Sequence, residues 1–154
     1  MDYKIDAIDK RIIQLLQQDG KMKIKEIGNH LKMTNTPIFD RIKRLEKEGF
    51  IKGYSTIIDK EKLGFKLVAF CTVRLERHHK DCLNEFERDV KELPEVAECY
   101  HIAGMFDYLL KVYVKDMVDY QYFITKNLAS LKNIGRVQSS FVMTEVKNDN
   151  VLPL

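Results

Sequence analysis

Apolar residues recur at helical spacing through the first fifty positions. Ile8, Ile12, Leu15 and Leu16 follow the i, i+4, i+7, i+8 rhythm of a single stripe. Asp6 stands where an N-cap is wanted, and Asp9 falls in the first turn, where the helix dipole favours an anion. Gly20 supplies the expected stop. A second, shorter helix is predicted from about Lys23 to Leu31, with Ile24, Ile27 and Leu31 on its apolar face and Gly28 small enough for close packing. After a break at Lys32-Met33-Thr34, a third helix opens on Thr34-Asn35-Thr36-Pro37. A hydroxyl can cap it there, and proline is tolerated within the first turn. Ile38, Ile42 and Leu45 form its buried stripe, and Gly49 ends it. Three short helices joined by tight turns predict a winged-type helix-turn-helix.

The pattern then changes. Phe50 to Ile58 is β-prone and reads as a connecting strand, followed by a helical turn or loop over Asp59–Gly64. Lys66–Leu75 reads as a buried strand, and His79–Leu93 as an amphipathic helix with Leu83, Phe86 and Val90 inward and Pro94 after it. Val96–Ile102 and Tyr108–Val114 flank a turn at Gly104-Met105-Phe106-Asp107 and predict a hairpin. Asp116 caps a further helix with Val118, Tyr122, Leu128 and Leu131 as its apolar positions. After Gly135, a last strand runs from about Val137 to Val146. The order βαββαβ predicts a ferredoxin-like sandwich, with a four-stranded antiparallel sheet and both helices on one face. The chain is therefore α+β, with a DNA-binding domain over 1–50, a connecting strand and hinge over 51–64, and a ferredoxin-like domain over 65–154. Strands rich in Leu, Ile, Val and Phe would leave the other sheet face apolar, so a second copy is expected to cover it as a homodimer.

Charge sharpens this division. Residues 1–50 hold 11 Lys and Arg against 8 Asp and Glu, whereas residues 51–154 hold 15 of each. The whole basic surplus sits in the helical third, as in a nucleic-acid module joined to something else. With 45% hydrophobic and 32% charged residues the chain has the balance of a globular protein, which argues against disorder. No apolar amino-terminal region and no run of ~20 apolar residues is present, so a cytoplasmic, non-membrane location is expected. Cys71, Cys82 and Cys99 are odd in number and lack CxxC spacing, so buried free thiols are expected in place of a disulfide framework or zinc ribbon.

The third helix divides its labour. With its stripe inward, Thr34, Asn35, Thr36, Phe39, Asp40, Lys43 and Arg44 remain to face a major groove. Hydroxyl, amide and basic groups are the types that read base edges and phosphates. Segment 32–47 carries five basic residues against two acidic ones. In the second domain, Asp107 lies at a turn beside Gly104, where a carboxylate and free backbone N–H groups would take the two ends of an amino acid; equally, Asp107 would simply tie the turn. Ser139 and Ser140 would add hydroxyls to the same pocket, or stand as exposed strand positions. The run His78-His79-Lys80-Asp81-Cys82 lacks the i, i+4 spacing that lets two histidines face one ion, so no metal is expected. No phosphate loop, GxSxG elbow or HExxH helix is present, so neither enzyme nor cofactor is expected. The alternatives are an architectural DNA-compacting protein, or an amino-acid-binding regulatory subunit of an enzyme.

Four strings resemble the Lrp/AsnC family of leucine-responsive, or feast/famine, regulators: IDKRIIQLLQQDGK (8–21), TPIFDRIKRLEKEGFIKGY (36–54), ECYHIAGMFDYLLKV (98–112) and VMTEVK (142–147). The resemblance spans Ile5 to Val146. It implies a sequence-specific transcriptional regulator that binds double-stranded DNA and responds to a small-molecule effector, an amino acid or related metabolite. It also implies dimers assembling into octamers, with ligand contacts gathered around Tyr100, Gly104, Met105, Asp107, Tyr108, Ser139 and Ser140. Lys23 replaces the Ser or Thr cap common in the family. Lys32 replaces a turn Gly, so a positive φ there would strain the backbone.

Overall fold

A reciprocal pair of carboxylates opens the first helix, α1 (Ala7–Gln18). The Asp6 side chain accepts from the Asp9 N–H at 2.8 Å, and the Asp9 side chain accepts from the Asp6 N–H at 3.1 Å. The computed structural model describes residues 3–148 and 151–154. These form two units: one runs from the amino end to Ile57 and includes the segment from Lys147 onward, and the other is Ile58–Val146. The C-terminal segment therefore groups with the helices and not, as expected, with the second domain. Gln17 supplies one reason, since its side-chain amide accepts from Leu152 N–H at 2.7 Å.

In the helical unit, α1 stops before Gly20. Asp19 leaves helical space (φ −143°), so the glycine is not the stop. Helix α2 (Ile24–Leu31) opens with the Glu26 carboxylate accepting from the Lys23 N–H at 2.9 Å, the half of a capping box that does not depend on the missing Ser or Thr. It ends on Lys32 in the left-handed region (φ 54°, ψ 43°), a conformation that costs a residue with a Cβ about 1–2 kcal/mol. Lys32→Gly is expected to raise stability by about 1 kcal/mol, read from the denaturation midpoint. An unchanged midpoint would show that the lysine side chain recovers the backbone cost. Helix α3 (Asn35–Lys47) follows, with Pro37 in its first turn. Ile38, Ile42 and Leu45 pack with Ile12, Leu15 and Ile27 into one core.

The strand expected over Phe50–Ile58 does not form, and Lys52–Asp59 carries no regular element. β-Prone residues make a strand only against a partner edge. This segment pairs with no strand among the described residues, and Ile57 is left 98% exposed.

The second unit is a four-stranded antiparallel sheet of order β2-β3-β1-β4, built from β1 (Leu67–Leu75), β2 (Val96–His101), β3 (Tyr108–Val114) and β4 (Ile134–Phe141). Strand β4 is shorter than expected, ending at Phe141, and Gly135 lies inside it at a register shift. A Cβ there would meet the Arg74 carbonyl oxygen at 3.3 Å. Helix α4 (Lys80–Val90) ends four residues before Pro94. With α5 (Met117–Tyr122) it packs on the sheet face formed by Ala69, Cys71, Val73, Leu75, Tyr108, Leu110, Val112 and Val114. The apolar phase of α5 differs from the expected one. Val118 and Tyr122 are exposed, while Tyr120 and Phe123 are buried. A π turn over Phe123–Asn127 then sets the buried Leu128 five residues after Phe123, outside a 3.6-residue rhythm. The three cysteines are free, but only Cys71 is fully buried, and Cys99 is exposed because it lies on edge strand β2.

Candidate nucleic-acid interface and ligand site

Helix α3 delivers the division its periodicity predicts. Thr34, Asn35, Thr36, Phe39, Asp40, Lys43 and Arg44 are all exposed, over a stripe that is almost completely buried. The Thr34 side chain makes no capping bond, so the first-turn N–H groups of α3 stay open to an acceptor such as a phosphate. Two structural details hold this helix in place. Gly28 lets α2 approach the turn closely, since a Cβ there would lie 2.7 Å from the Met33 carbonyl oxygen. Beneath the helix, Arg41 donates at 2.7 Å to both Asp6 and Asp9.

Asp9 is the residue whose role the sequence did not reveal. Beyond capping α1, its buried carboxylate collects the Tyr3 hydroxyl, the Asp6 N–H and Arg41, with Arg44 at 3.8 Å. Burial pushes its pKa up, but the hydrogen bonds from Tyr3, Asp6 and Arg41 outweigh this and hold it below the ordinary value. The capping spacing Asp6-x-x-Asp9 was visible; the partner 32 residues away was not. Arg41 is thus committed to structure, whereas the basic residues Lys43 and Arg44 of the expected DNA-facing set remain exposed. Lys43 pairs with Glu46 at 2.9 Å and lies 5.8 Å from the Phe39 ring centroid. Arg44 stacks over Tyr3 at 4.3 Å.

In the second unit, Asp107 sits at the mouth of the β2–β3 hairpin. Its N–H donates to the Val73 carbonyl at 2.9 Å, and its carboxylate accepts from the Leu75 N–H at 2.7 Å. Both carboxylate oxygens lie 3.0 Å from His78 Nε2. Burial raises its pKa, but the Leu75 N–H, His78 and the nearby Arg74 together bring it below the usual value. Gly104 adopts φ 153°, and Met105 is 75% exposed beside it.

The seven residues expected around a ligand do not share one surface. Tyr108 is a core residue, its ring stacked on His101 and its hydroxyl donating to Glu87 at 2.9 Å. Burial first, then Glu87, push its phenol far above the ordinary value. Ser139 faces the helices and accepts from the Tyr120 hydroxyl at 2.5 Å, whereas Ser140 points to the opposite face beside Phe70. Side chains alternate along a strand, so two successive serines cannot line one pocket in one chain. Tyr100 shares the open face with Ser140, and its hydroxyl donates to Glu98 at 2.7 Å. One surface groove of this unit, about 340 Å³, is lined by Phe65, Pro94, Glu95, Tyr113, Val114, Lys115 and Asp119, none of them among the seven.

Comparisons with known proteins agree with both halves. A family model for winged helix-turn-helix DNA-binding domains matches residues 5–52, and one for the Lrp/AsnC ligand binding domain matches residues 68–152. The DNA-binding transcriptional activator DecR of Escherichia coli is 35% identical over 150 residues, covering 97% of this chain and 99% of that one. The leucine-responsive regulatory protein of Salmonella typhimurium is 35% identical over 148 residues, covering 96% and 90%. Among solved structures, a Neisseria meningitidis transcriptional regulator in complex with L-Met superposes with a TM-score of 0.93 at 32% identity, covering 97% of each chain. An AsnC family transcriptional regulator from Agrobacterium tumefaciens gives 0.92 at 32% identity, again covering 97% of each chain.

Proposed function

The chain belongs to the Lrp/AsnC family of transcriptional regulators, and from this premise we propose that it reads duplex DNA with α3 and responds to an amino acid bound at the Asp107 loop. One observation carries the DNA half: α3 and its cap turn Thr34, Asn35, Thr36, Phe39, Asp40, Lys43 and Arg44 outward while the buried stripe anchors the helix. Lys43 and Arg44 contact phosphates, and Thr34, Asn35, Thr36, Phe39 and Asp40 face the base edges. Lys43→Ala is expected to weaken binding to every sequence and to reduce the salt slope by about one. Asn35→Ala is expected to cost about 1–3 kcal/mol at the cognate site only. Fluorescence anisotropy on cognate and scrambled duplexes over a salt series measures both. Equal losses on the two duplexes would reassign Asn35 to the backbone.

For the effector, Asp107 supplies an ionised carboxylate beside the Gly104–Met105 turn, with Tyr100 on the open face, whereas Ser140, opposite Phe70, lies further along the sheet. Tyr108 and Ser139 shape this wall from behind and do not touch ligand. A thermal-shift panel of the standard amino acids tests this reading. A binder at 100 times its Kd adds about 2.7 kcal/mol, and Asp107→Ala should abolish the gain. The open sheet face carries Phe70, Leu109 and Tyr100 and is covered by a second copy, giving a homodimer that assembles further towards an octamer; sedimentation as a monomer at micromolar concentration would refute this. No helix among the described residues is long and apolar enough to cross a membrane. We assign the protein to the cytoplasm, as a regulator and not an enzyme.

A further inference from the structure

A large apolar side chain stands in the middle of the polar face of α3. Phe39 is 46% exposed, whereas Ile38 and Ile42 are buried in the core of the helical unit. The other exposed aromatics of this unit have partners. Phe50 meets the Tyr3 ring edge-on at 5.9 Å, and the Tyr54 hydroxyl donates to Glu46 at 3.0 Å. Phe39 has no ring partner among the described residues. Lys43 Nζ lies 5.8 Å from its centroid, but that ammonium is already paired with Glu46 at 2.9 Å. A lone exposed aromatic is ordinary on a protein surface; this one is set apart by where it stands.

Its surroundings narrow what it can meet. Thr36, Phe39, Asp40 and Lys43 follow the i, i+3, i+4, i+7 spacing of one helix face, and all four are exposed. Asp40 forms no ion pair among the described residues, and its neighbour Arg41 is spent on Asp6 and Asp9. On the reading of α3 as the DNA-contacting helix, a bare carboxylate is repelled by phosphates. That stretch of helix is therefore held over the base edges, where the amino groups of cytosine and adenine can donate to Asp40. One turn on, Lys43 and Arg44 supply the cations that phosphates take. The Phe39 ring, beside Asp40, shares its place over the floor of the groove. A phenyl ring offers no hydrogen bond to a base edge, and the apolar group that a base presents in the major groove is the C5-methyl of thymine.

We propose that Phe39 reads a thymine through its C5-methyl group, so that the DNA this chain selects carries a required thymine under α3. This deepens the reading of α3 given above and rests on it. The test begins with selection of random duplexes by the full-length protein. Fluorescence anisotropy then follows on the selected duplex, with deoxyuridine in place of each thymine in turn. Deoxyuridine keeps the base pair and removes only the methyl group. At one thymine the wild type should lose about three- to tenfold in affinity, the scale of one buried methyl group and its contacts. Phe39→Ala should bind the thymine and deoxyuridine duplexes equally, and Phe39→Leu, which keeps an apolar side chain, should restore part of the difference. Phe39→Ala should also leave the salt slope unchanged, because the ring neutralises no phosphate. A selected duplex in which no deoxyuridine weakens the wild type overturns the inference without any variant, and leaves α3 as the DNA-contacting helix. A difference that persists in Phe39→Ala also overturns it, and assigns the methyl group to another side chain such as Thr36. Selection of no sequence by the wild type removes both readings.

Discussion

Asp9→Ala is expected to destabilise the helical unit by about 2–4 kcal/mol and to abolish specific DNA binding, although Asp9 lies outside the reading face. Its carboxylate is fully buried and accepts from the Tyr3 hydroxyl, the Asp6 N–H and Arg41. Removing it leaves three donors without their acceptor, with Arg41 retaining only Asp6 at 2.7 Å. Loss of one member of a buried ionic network costs more than the network contributes, because the remaining charges stay desolvated. The functional loss follows from position. Arg41 sits on α3 between Asp40 and Lys43, two of the residues proposed to face the groove, and Asp9 ties it to α1. Denaturant unfolding measures the stability, and anisotropy on the cognate duplex measures the binding. Asp9→Asn keeps the shape and removes the charge, and is expected to fall between alanine and wild type; a loss as small as ~0.5 kcal/mol, the usual scale of surface substitutions, would show that the network adds little. The pH dependence has a fixed sign. Asp6 and Asp9 both titrate below the ordinary carboxylate value of 3.8. Their contribution is complete above that value and is lost as pH falls from it through the depressed folded values. Acid unfolding of wild type should therefore steepen below about pH 4, and Asp9→Asn should flatten it.

Gly28→Ala is the second large effect. Alanine is normally the better helix former, so propensity alone predicts a gain. The added Cβ would lie 2.7 Å from the Met33 carbonyl oxygen, which is backbone and cannot swing aside. The same carbonyl belongs to the turn that sets α3 against α2, and the Met33 N–H donates to Gly28 O at 2.9 Å. Relieving the clash opens that turn. We expect a loss of about 1–3 kcal/mol, the range for overpacked sites, together with weakened specific binding out of proportion to the stability change. Thermal melts and cognate-duplex affinity give the two readings. A stabilised Gly28→Ala that binds normally would show that the turn moves freely.

Much of the fold was legible in the chain because its signals are local. The stripe Ile38, Ile42, Leu45 fixes which side of α3 faces inward, and therefore which side is free to meet DNA. Asp6 and Asp116 begin helices because a short carboxylate accepts from nearby N–H groups. The apolar runs of β1 and β3 and the order βαββαβ specify the sheet, while its alternating burial appears only once the helices cover one face. The misreadings arose where local rules yield to neighbours. The β-prone segment before Asp59 pairs with no strand among the described residues, and α5 turns Tyr120 inward in place of Val118 and Tyr122, with the π turn resetting the spacing only after them.

The candidate sites divide along the same line. Sequence periodicity and capping determined the helix-turn-helix, the outward set on α3 and the hairpin that carries Asp107, since each depends on residues a few positions apart. Tertiary structure alone decided that Asp9 belongs to Arg41, that Ser139 and Ser140 part to opposite faces, and that Tyr108 is core. These depend on strand register and on contacts tens of residues apart. Such contacts are set by the packing of the whole unit, to which no single stretch of sequence holds the key.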